Sequence, residues 1–115
     1  MSIARYNVGA RLSGAVRHGD TIYVAGQVAD DTSAGAKGQT EQILKRIDAA
    51  LAHFGSHKTK LLSATVYVAD MALYDEMNAA WDAWVEKGTA PARATVQAKL
   101  ARPVYLVEIA AIAAA

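Results

Sequence analysis

Alternating apolar and polar positions predict most of the strands in this chain. Residues 21–29 (TIYVAGQVA) and 92–100 (ARATVQAKL) follow a period of two, which places successive side chains on opposite faces of a sheet. Residues 61–70 (LLSATVYVAD) are apolar almost throughout, as is typical of a central strand covered on both faces. Residues 105–112 supply a last strand. Residues 11–18 form a hairpin with 21–29 through a turn at Gly19 and Asp20.

Two segments carry a helical period instead. Residues 39–54 place Ile43, Ile47, Leu51 and Phe54 on one face, and Gly55 suits the position just past the helix end. Asp70 is placed to cap a second helix that stops near Gly88. The apolar face of this second helix comprises Leu73, Met77, Ala80, Trp81 and Trp84.

The order of these elements predicts an α+β fold in one domain spanning residues 1–115. The order is β-β-α-β-α-β-β, with a further short strand at residues 3–6, and most neighbouring strands are expected to be antiparallel. Two helices cover only one face of such a sheet. We therefore expect neighbouring subunits to cover the other face.

Composition and charge exclude several classes of protein. The 115 residues include no cysteine, which removes disulfides, thiolate catalysis and zinc–sulfur sites. A formal net charge of +1 without a basic run argues against nucleic-acid binding. The first residues lack the apolar core of a signal peptide, and no apolar run reaches membrane-spanning length. These features predict a cytoplasmic location.

Arg93 and Glu108 are the two residues that the strand patterns do not explain. If residues 101–104 close a hairpin, Leu100 opposes Tyr105, and Arg93, Thr95 and Glu108 then share one face. Arg93 and Glu108 would lie about 13 Å apart along the strands, too far for a tight pair within one chain. Arg93 of one subunit beside Glu108 of another is the arrangement that uses both residues.

The chemistry of this pair suits a small carboxylic acid. A guanidinium binds a carboxylate through two parallel hydrogen bonds, and a partly buried glutamate can orient or deprotonate water. Together they favour attack of water on the carbon next to a bound carboxylate. A structural ion pair between subunits is the alternative, and the residues alone leave both open. His53 and His57 are not expected to bind a metal, because Gly55 ends the helix between them.

Several segments, taken in order, resemble the RidA (YjgF-type) reactive-intermediate deaminases. They are YVAGQVA, TEQILKRIDAALAHFGS, LLSATVYVADM, YDEMNAAWDAWV, APARATVQAKL and LVEIAAIA, and the resemblance as a whole extends over about residues 11–113. The resemblance implies a chorismate-mutase-like fold and a homotrimer with sites between subunits. It also implies hydrolysis of 2-imino acids or their enamine tautomers to 2-keto acids and ammonia, with 2-aminoacrylate, 2-iminopropanoate and 2-iminobutanoate as substrates. No cofactor or metal is implied.

The same resemblance assigns roles to individual positions. Arg93 would hold the substrate carboxylate, and Thr95 would contribute a backbone contact to it. Glu108 would position the attacking water. Gly26 would offer a backbone group at the cleft, and Asn78 matches an asparagine near the site.

Two positions depart from the family pattern. Leu12 stands where the family often has tyrosine, and Ala25 stands where it often has serine. We expect the loss of both hydroxyls to change which imines are accepted. A trimer that binds small carboxylic acids without catalysis remains an alternative, as do an RNA-acting protein, a label that this family has carried, and a purely structural one.

Overall fold

The computed structural model describes residues 1–115 as six strands, two α-helices and two short 3₁₀ turns. The predicted order is confirmed, including the first strand, which is longer than expected. The elements are β1 (Ile3–Val8), β2 (Ser13–His18), β3 (Thr21–Gln27), α1 (Ala36–His53), β4 (Leu61–Val68), α2 (Tyr74–Trp84), β5 (Ala92–Gln97) and β6 (Val107–Ala114).

All six strands form one sheet in the order β1-β2-β3-β6-β4-β5. Every neighbouring pair is antiparallel except β4 and β5, which run parallel. The predicted hairpin between β5 and β6 is therefore wrong, because β4 lies between them. The cause is α2, which crosses from the end of β4 back to its beginning, so β5 starts beside β4 in the same direction. The predicted turn at Gly19 and Asp20 is confirmed, since His18 pairs with Thr21.

Both helices pack on one face of the sheet, and the core lies between them and the strands. The buried face of α1 includes Ile43, Leu44, Ile47 and Leu51, as the helical period predicts, and Met77 is the most buried residue of α2. The strands contribute alternate residues to this core. These are Ala15, Ile22, Val24, Leu61, Ala64, Val66, Val68, Val107, Ile109, Ala111 and Ala113.

The helix boundaries differ from the predicted ones by a few residues. Helix α1 ends at His53. Gly55 follows with a φ of 74°, in the left-handed region that glycine adopts without steric cost. Asp70 accepts a hydrogen bond from the amide of Ala72, so it caps a 3₁₀ turn that precedes α2. Neither helix is both long and apolar enough to cross a membrane.

No helix covers the other side of the sheet, which we call the open face. Tyr23 is 49% exposed and Val96 is 41% exposed there. Most of its other residues are small or apolar. The open face includes Val16, Tyr23, Thr65, Tyr67, Ala94, Val96, Glu108, Ala110 and Ile112. Exposed apolar surfaces are typical of interaction sites, and the expectation that subunits cover this one stays a prediction.

Candidate functional site

Arg93 and Glu108 lie on opposite faces of the sheet, so the predicted common face is wrong. Arg93 pairs with Ala64 of β4, whose side chain is in the core, and its own side chain is therefore directed to the helix side. Glu108 pairs with Tyr67 of the same strand, on the open face. Two strand spacings and three residues of rise separate the two positions by roughly 14 Å. Within one chain, these two groups cannot act on the same small molecule.

Arg93 lies among aromatic and sulfur-containing side chains of α2. Its Nη1 is 3.9 Å from Met77 Sδ, and its Nη2 donates to the Tyr74 hydroxyl at 3.5 Å. The guanidinium carbon is 5.1 Å from the centre of the Trp81 ring and 6.0 Å from that of Tyr74. These contacts orient a cation without neutralising it. We call Arg93, Tyr74, Met77, Trp81 and Thr95 the arginine cluster.

Asn78 belongs beside this cluster. Tyr74, Asn78 and Trp81 are spaced four and three residues apart, so they form one stripe on α2. The two outer members of the stripe both contact Arg93. Asn78 is half-buried and makes no side-chain hydrogen bond within the chain. Asn78 thus lies between two residues that contact Arg93, and its place in a site stays a prediction.

Thr95 is on the edge strand, two residues after Arg93. The amide of Ala98 donates to Val68 of β4, so the backbone groups of the alternate residues Arg93 and Thr95 are directed away from the sheet. The Thr95 Oγ1 is buried without a hydrogen-bond partner, which is uncommon in folded proteins. The backbone contact predicted for Thr95 therefore has a free amide to make it.

Glu108 lies on the open face between Tyr67 of β4 and Gly26 of β3. A Cβ placed on Gly26 would collide with the Glu108 carboxylate, so a larger residue there would force this carboxylate to move aside. Gly26 and Ala25 together oppose the single residue Ala110, which makes a β-bulge in β3. We call Glu108, Tyr67, Ala25 and Gly26 the glutamate cluster. Leu12 directly precedes β2, the strand on the other side of β3, and it is 65% exposed.

Neither Arg93 nor Glu108 has a partner of opposite charge within the chain. The one salt bridge joins Arg46 and Asp30 at 2.8 Å. Glu108 makes no side-chain hydrogen bond either, although it is half-buried. The cavity that adjoins the arginine cluster, of about 390 Å³, is lined by Met71, Ala72, Tyr74 and Asp75 and reaches neither charge. One chain thus carries both charged groups, but it does not bring them together in one enclosed pocket.

The remaining titratable groups do not add to these clusters. Hydrogen bonds from the Ser33 hydroxyl and amide lower the pKa of Asp31, which is fully exposed in the loop before α1. His53 packs against the Tyr6 and Phe54 rings, and His57 caps the 3₁₀ turn that follows. No group of three or more His, Cys, Asp or Glu side chains is close enough to hold a metal ion.

Two sets of residues near the candidate site do not stand out in the sequence. The helical period places Trp81 on the apolar face of the second helix without relating it to Arg93, and it does not single out Tyr74. A signal was available, because a strand, a helix and a strand in succession favour parallel neighbours and would have turned Arg93 toward α2. The second set lies around the bulge of β3. Its signal was Gln27, a long polar side chain within the otherwise mostly apolar stretch between Ile22 and Ala29.

Comparisons with known proteins give consistent results over the whole chain. A family model described as Endoribonuclease L-PSP matches residues 2–115. RutC family protein YoaB of Escherichia coli K12 is 46% identical over 114 residues, covering 99% of each chain. A RutC family protein of Haemophilus ducreyi is 46% identical over 112 residues, covering 97% of this chain and 96% of its own.

Solved structures agree with these sequence matches. NMB1025, a YjgF family member from Neisseria meningitidis, has a TM-score of 0.94 and 43% identity, covering 99% of this chain and 95% of its own. A Pseudomonas aeruginosa protein has a TM-score of 0.96 and 40% identity, with 98% of each chain covered. The chorismate-mutase-like fold that the resemblance implied is thereby confirmed. The chain belongs to the Endoribonuclease L-PSP family, whose members carry the names RutC and YjgF.

Proposed function

We propose that this protein hydrolyses 2-imino acids and their enamine tautomers to 2-keto acids and ammonia, at sites between the subunits of a homotrimer. The observation that carries the proposal is the separation of two unneutralised charges. Arg93 and Glu108 lie on opposite faces of one sheet, and neither has a partner of opposite charge in its own chain. The Glu108 carboxylate oxygens are not fully buried, so a molecule on the open face can reach them.

Two features of the surface support a site shared between subunits. Strand β5 is an edge strand whose outward backbone groups are unpaired, and the open face carries exposed apolar residues such as Tyr23 and Val96. A second subunit seated on the open face covers those residues. It also carries an arginine cluster that can approach the glutamate cluster of the first subunit. The number of three subunits follows the family resemblance.

The substrate carboxylate would be held by the Arg93 fork and by the Thr95 amide at the sheet edge. The aromatic rings of Tyr74 and Trp81 restrict where the guanidinium can point. A bidentate ion pair fixes both the position and the plane of a carboxylate. The imine carbon next to that carboxylate then faces the neighbouring subunit.

Glu108 would act on the attacking water. Its carboxylate takes a proton from water as the oxygen bonds to the imine carbon and the C=N π electrons move to nitrogen. The product of this step is a carbinolamine. Glu108 returns the proton to nitrogen and then carries the hydroxyl proton to the same nitrogen, so that C=O forms as the C–N bond breaks and neutral ammonia leaves. The products are a 2-keto acid and ammonia, so atoms and charges balance without a redox partner.

Leu12 and Ala25 bear on the choice of imine. Both are apolar where the family often has hydroxyl groups, and Ala25 lies in the glutamate cluster. A cleft with fewer hydrogen-bonding groups favours substrates with apolar side chains, since a polar side chain loses water there without compensation. We expect the imines of alanine, 2-aminobutyrate and leucine to be better substrates than those of serine or glutamate.

An imine-trapping assay tests the proposal. An amino-acid oxidase generates the imine in the presence of semicarbazide, which captures whatever has not been hydrolysed. We expect this protein to lower the rate of semicarbazone formation in proportion to its concentration. Arg102→Ala, which removes an equal charge from an exposed loop, is the matched control and should behave as the unmodified protein. An unchanged trapping rate with every imine tested would refute deaminase activity.

Binding without catalysis is the alternative, and it can be separated from the enzyme by fluorescence. The Trp81 ring lies 5.1 Å from the Arg93 guanidinium carbon, so a carboxylate bound to Arg93 should change Trp81 emission. Titration with 2-oxobutanoate should give a saturable change that is lost in Arg93→Ala. Saturable binding together with an unchanged trapping rate would favour the non-catalytic trimer.

The description of the matching family model makes RNA a second candidate substrate. The net charge of +1 and the lack of a basic stripe do not favour it, because RNA binding depends on clustered Lys and Arg. Incubation with labelled single-stranded RNA at physiological salt should leave the RNA intact and unbound. Cleavage that is lost in Glu108→Gln would replace the deaminase proposal.

A further inference from the structure

Gln27 is a buried glutamine whose amide is fully used by hydrogen bonds around the bulge of β3. Its Nε2 donates to the Ala25 carbonyl at 3.0 Å and, over a longer distance of 3.5 Å, to the Gly14 carbonyl on β2. Its Oε1 accepts from Arg46 Nε of α1 at 3.0 Å. The residue is only 9% exposed. One side chain therefore joins the bulge, the neighbouring strand and a helix.

The bulge is the feature that needs this support. Between Val24 and Gln27 the β3 strand has two residues where β6 has one, so the ladder loses its regular partners there. The Gln27 side-chain amide donates a hydrogen bond to the carbonyl of Ala25, which is one of the two bulge residues. Because Gly26 is the second bulge residue and lies against Glu108, any change in the bulge changes the space beside that carboxylate.

Arg46 determines which way the Gln27 amide points. Its guanidinium donates to Oε1, and an amide turned by 180° would place its NH₂ group against that cation and its oxygen against two carbonyl oxygens. Asp30 holds the other end of Arg46 through the 2.8 Å salt bridge. Asp30 itself is 86% exposed at its side chain, so it acts from the solvent side.

We propose that Gln27 and Arg46 are a positioning pair that fixes the Ala25–Gly26 bulge and, through it, the glutamate cluster. Neither residue is expected to touch substrate. Their catalytic consequence rests on the proposed deaminase function, whereas their effect on the bulge does not. Loss of either residue should slow the turnover step that uses Glu108. It should leave carboxylate binding by Arg93 intact, because Arg93 is on the opposite face of the sheet.

The chain offers a matched control for this pair. Asp30→Ala breaks the same salt bridge as Arg46→Met but keeps the hydrogen bond between Arg46 and Gln27. A role limited to a surface ion pair would make the two variants equivalent. A positioning role makes only Arg46→Met defective. Arg46→Lys, which keeps a donor for Oε1, should restore most of the function.

The first test is spectroscopic and does not depend on deaminase activity. The protein has eight glycines, so labelling with ¹⁵N-glycine gives a simple amide spectrum in which Gly26→Ala assigns Gly26 by its absence. Gln27→Leu and Arg46→Met should shift the Gly26 resonance and leave Gly55 and Gly88 unchanged. Asp30→Ala should shift none of the three. An unmoved Gly26 resonance in Arg46→Met overturns the inference, whether or not the protein is a deaminase.

The second test is kinetic. Measured well below Tm and normalised to folded protein, Arg46→Met should lower kcat about tenfold with KM for the imino acid nearly unchanged. Arg46→Lys should recover most of that loss, and Asp30→Ala should match the unmodified protein. If the unmodified protein is active and Arg46→Met keeps its kcat, the inference fails while the proposed function stands. If Gln27→Leu does not fold, the three variants at Arg46 and Asp30 still decide.

Discussion

The arginine cluster and the glutamate cluster are built in contrasting ways. Arg93 is surrounded by two aromatic rings and a sulfur atom, all from α2, which orient its charge. Glu108 has no hydrogen-bond or ionic partner, and on the β3 side it faces Gly26, which has no side chain to contact it. The side chain of Arg93 is thus oriented by its neighbours, while the carboxylate of Glu108 has no contact that fixes it. This contrast fits a group that binds and a group that handles protons.

The two clusters also depend on different parts of the fold. The arginine cluster rests on the packing of one helix against an edge strand, and the glutamate cluster rests on a bulge near the middle of the sheet. Changes in one should leave the other undisturbed. The contrast therefore predicts that substrate binding and turnover can be impaired separately, and the following experiments test this from the largest effect to the smallest.

Removing the Arg93 guanidinium should have the largest effect. Arg93→Ala deletes two charge-assisted hydrogen bonds to the substrate carboxylate, of about 1.5–3 kcal/mol each, so kcat/KM should fall by about 10²- to 10⁴-fold. Arg93→Lys keeps the charge but loses the bidentate fork, so its kcat/KM should lie between that of Arg93→Ala and that of the unmodified protein. Steady-state imine hydrolysis measures both, and Arg102→Ala controls for the loss of charge. Full activity in Arg93→Ala would remove the proposed carboxylate clamp.

Neutralising Glu108 should affect turnover in preference to binding. Glu108→Gln keeps the shape of the side chain but cannot accept a proton, and we expect kcat to fall about 10²-fold with little change in KM. Keto-acid binding, followed by Trp81 fluorescence, should be unchanged. Glu86→Gln, at an exposed position after α2, is the control. A rise in KM at constant kcat would show that Glu108 binds substrate and does no proton transfer.

Filling the space beside Glu108 should have an intermediate effect. The Cβ of Gly26→Ala would meet the far end of a flexible side chain, so the carboxylate can move aside and Tm should change little. The displaced carboxylate should lower kcat roughly tenfold, since small misplacements of a reacting group are costly. Gly35→Ala is the matched control, because its Cβ would have an ordinary 3.6 Å contact with Glu76. Equal activity in the two variants would contradict the proposed role of this space.

The local elements were predictable from the sequence, and their arrangement was only partly so. Periods of two and of 3.6 are produced by the chain itself, which is why α1 and β3 appear within a few residues of their predicted positions. The face that Arg93 occupies depends on which strand lies beside β5. That choice is made by the α2 crossover and by the insertion of β6 between β3 and β4, both of them long-range features. The sequence patterns and the resemblance name the candidate residues, but they predict the wrong geometry between Arg93 and Glu108.

Mixing two inactive variants tests whether the two clusters meet between subunits. Arg93→Ala and Glu108→Gln protomers, refolded together in equal amounts, should form mixed trimers in which one site of three has both groups intact. Random assembly predicts about one quarter of the activity of the unmodified protein, a deficit of about fourfold. Each variant refolded alone measures the background. Activity no higher than the average of the two backgrounds would contradict a site that combines Arg93 and Glu108 of different subunits.

The smallest effect is expected at Tyr74, where the arginine cluster can be weakened without removing its charge. The hydroxyl is 3.5 Å from Arg93 Nη2, a long hydrogen bond, while the ring contributes its face to the guanidinium. Tyr74→Phe keeps the ring and deletes only the hydroxyl, so we expect KM to rise about two- to threefold with kcat unchanged. Tyr67→Phe, a matched change beside Glu108, should leave KM unchanged, because that tyrosine belongs to the glutamate cluster. If instead both variants changed kcat and KM alike, binding and turnover would not be divided between the two clusters.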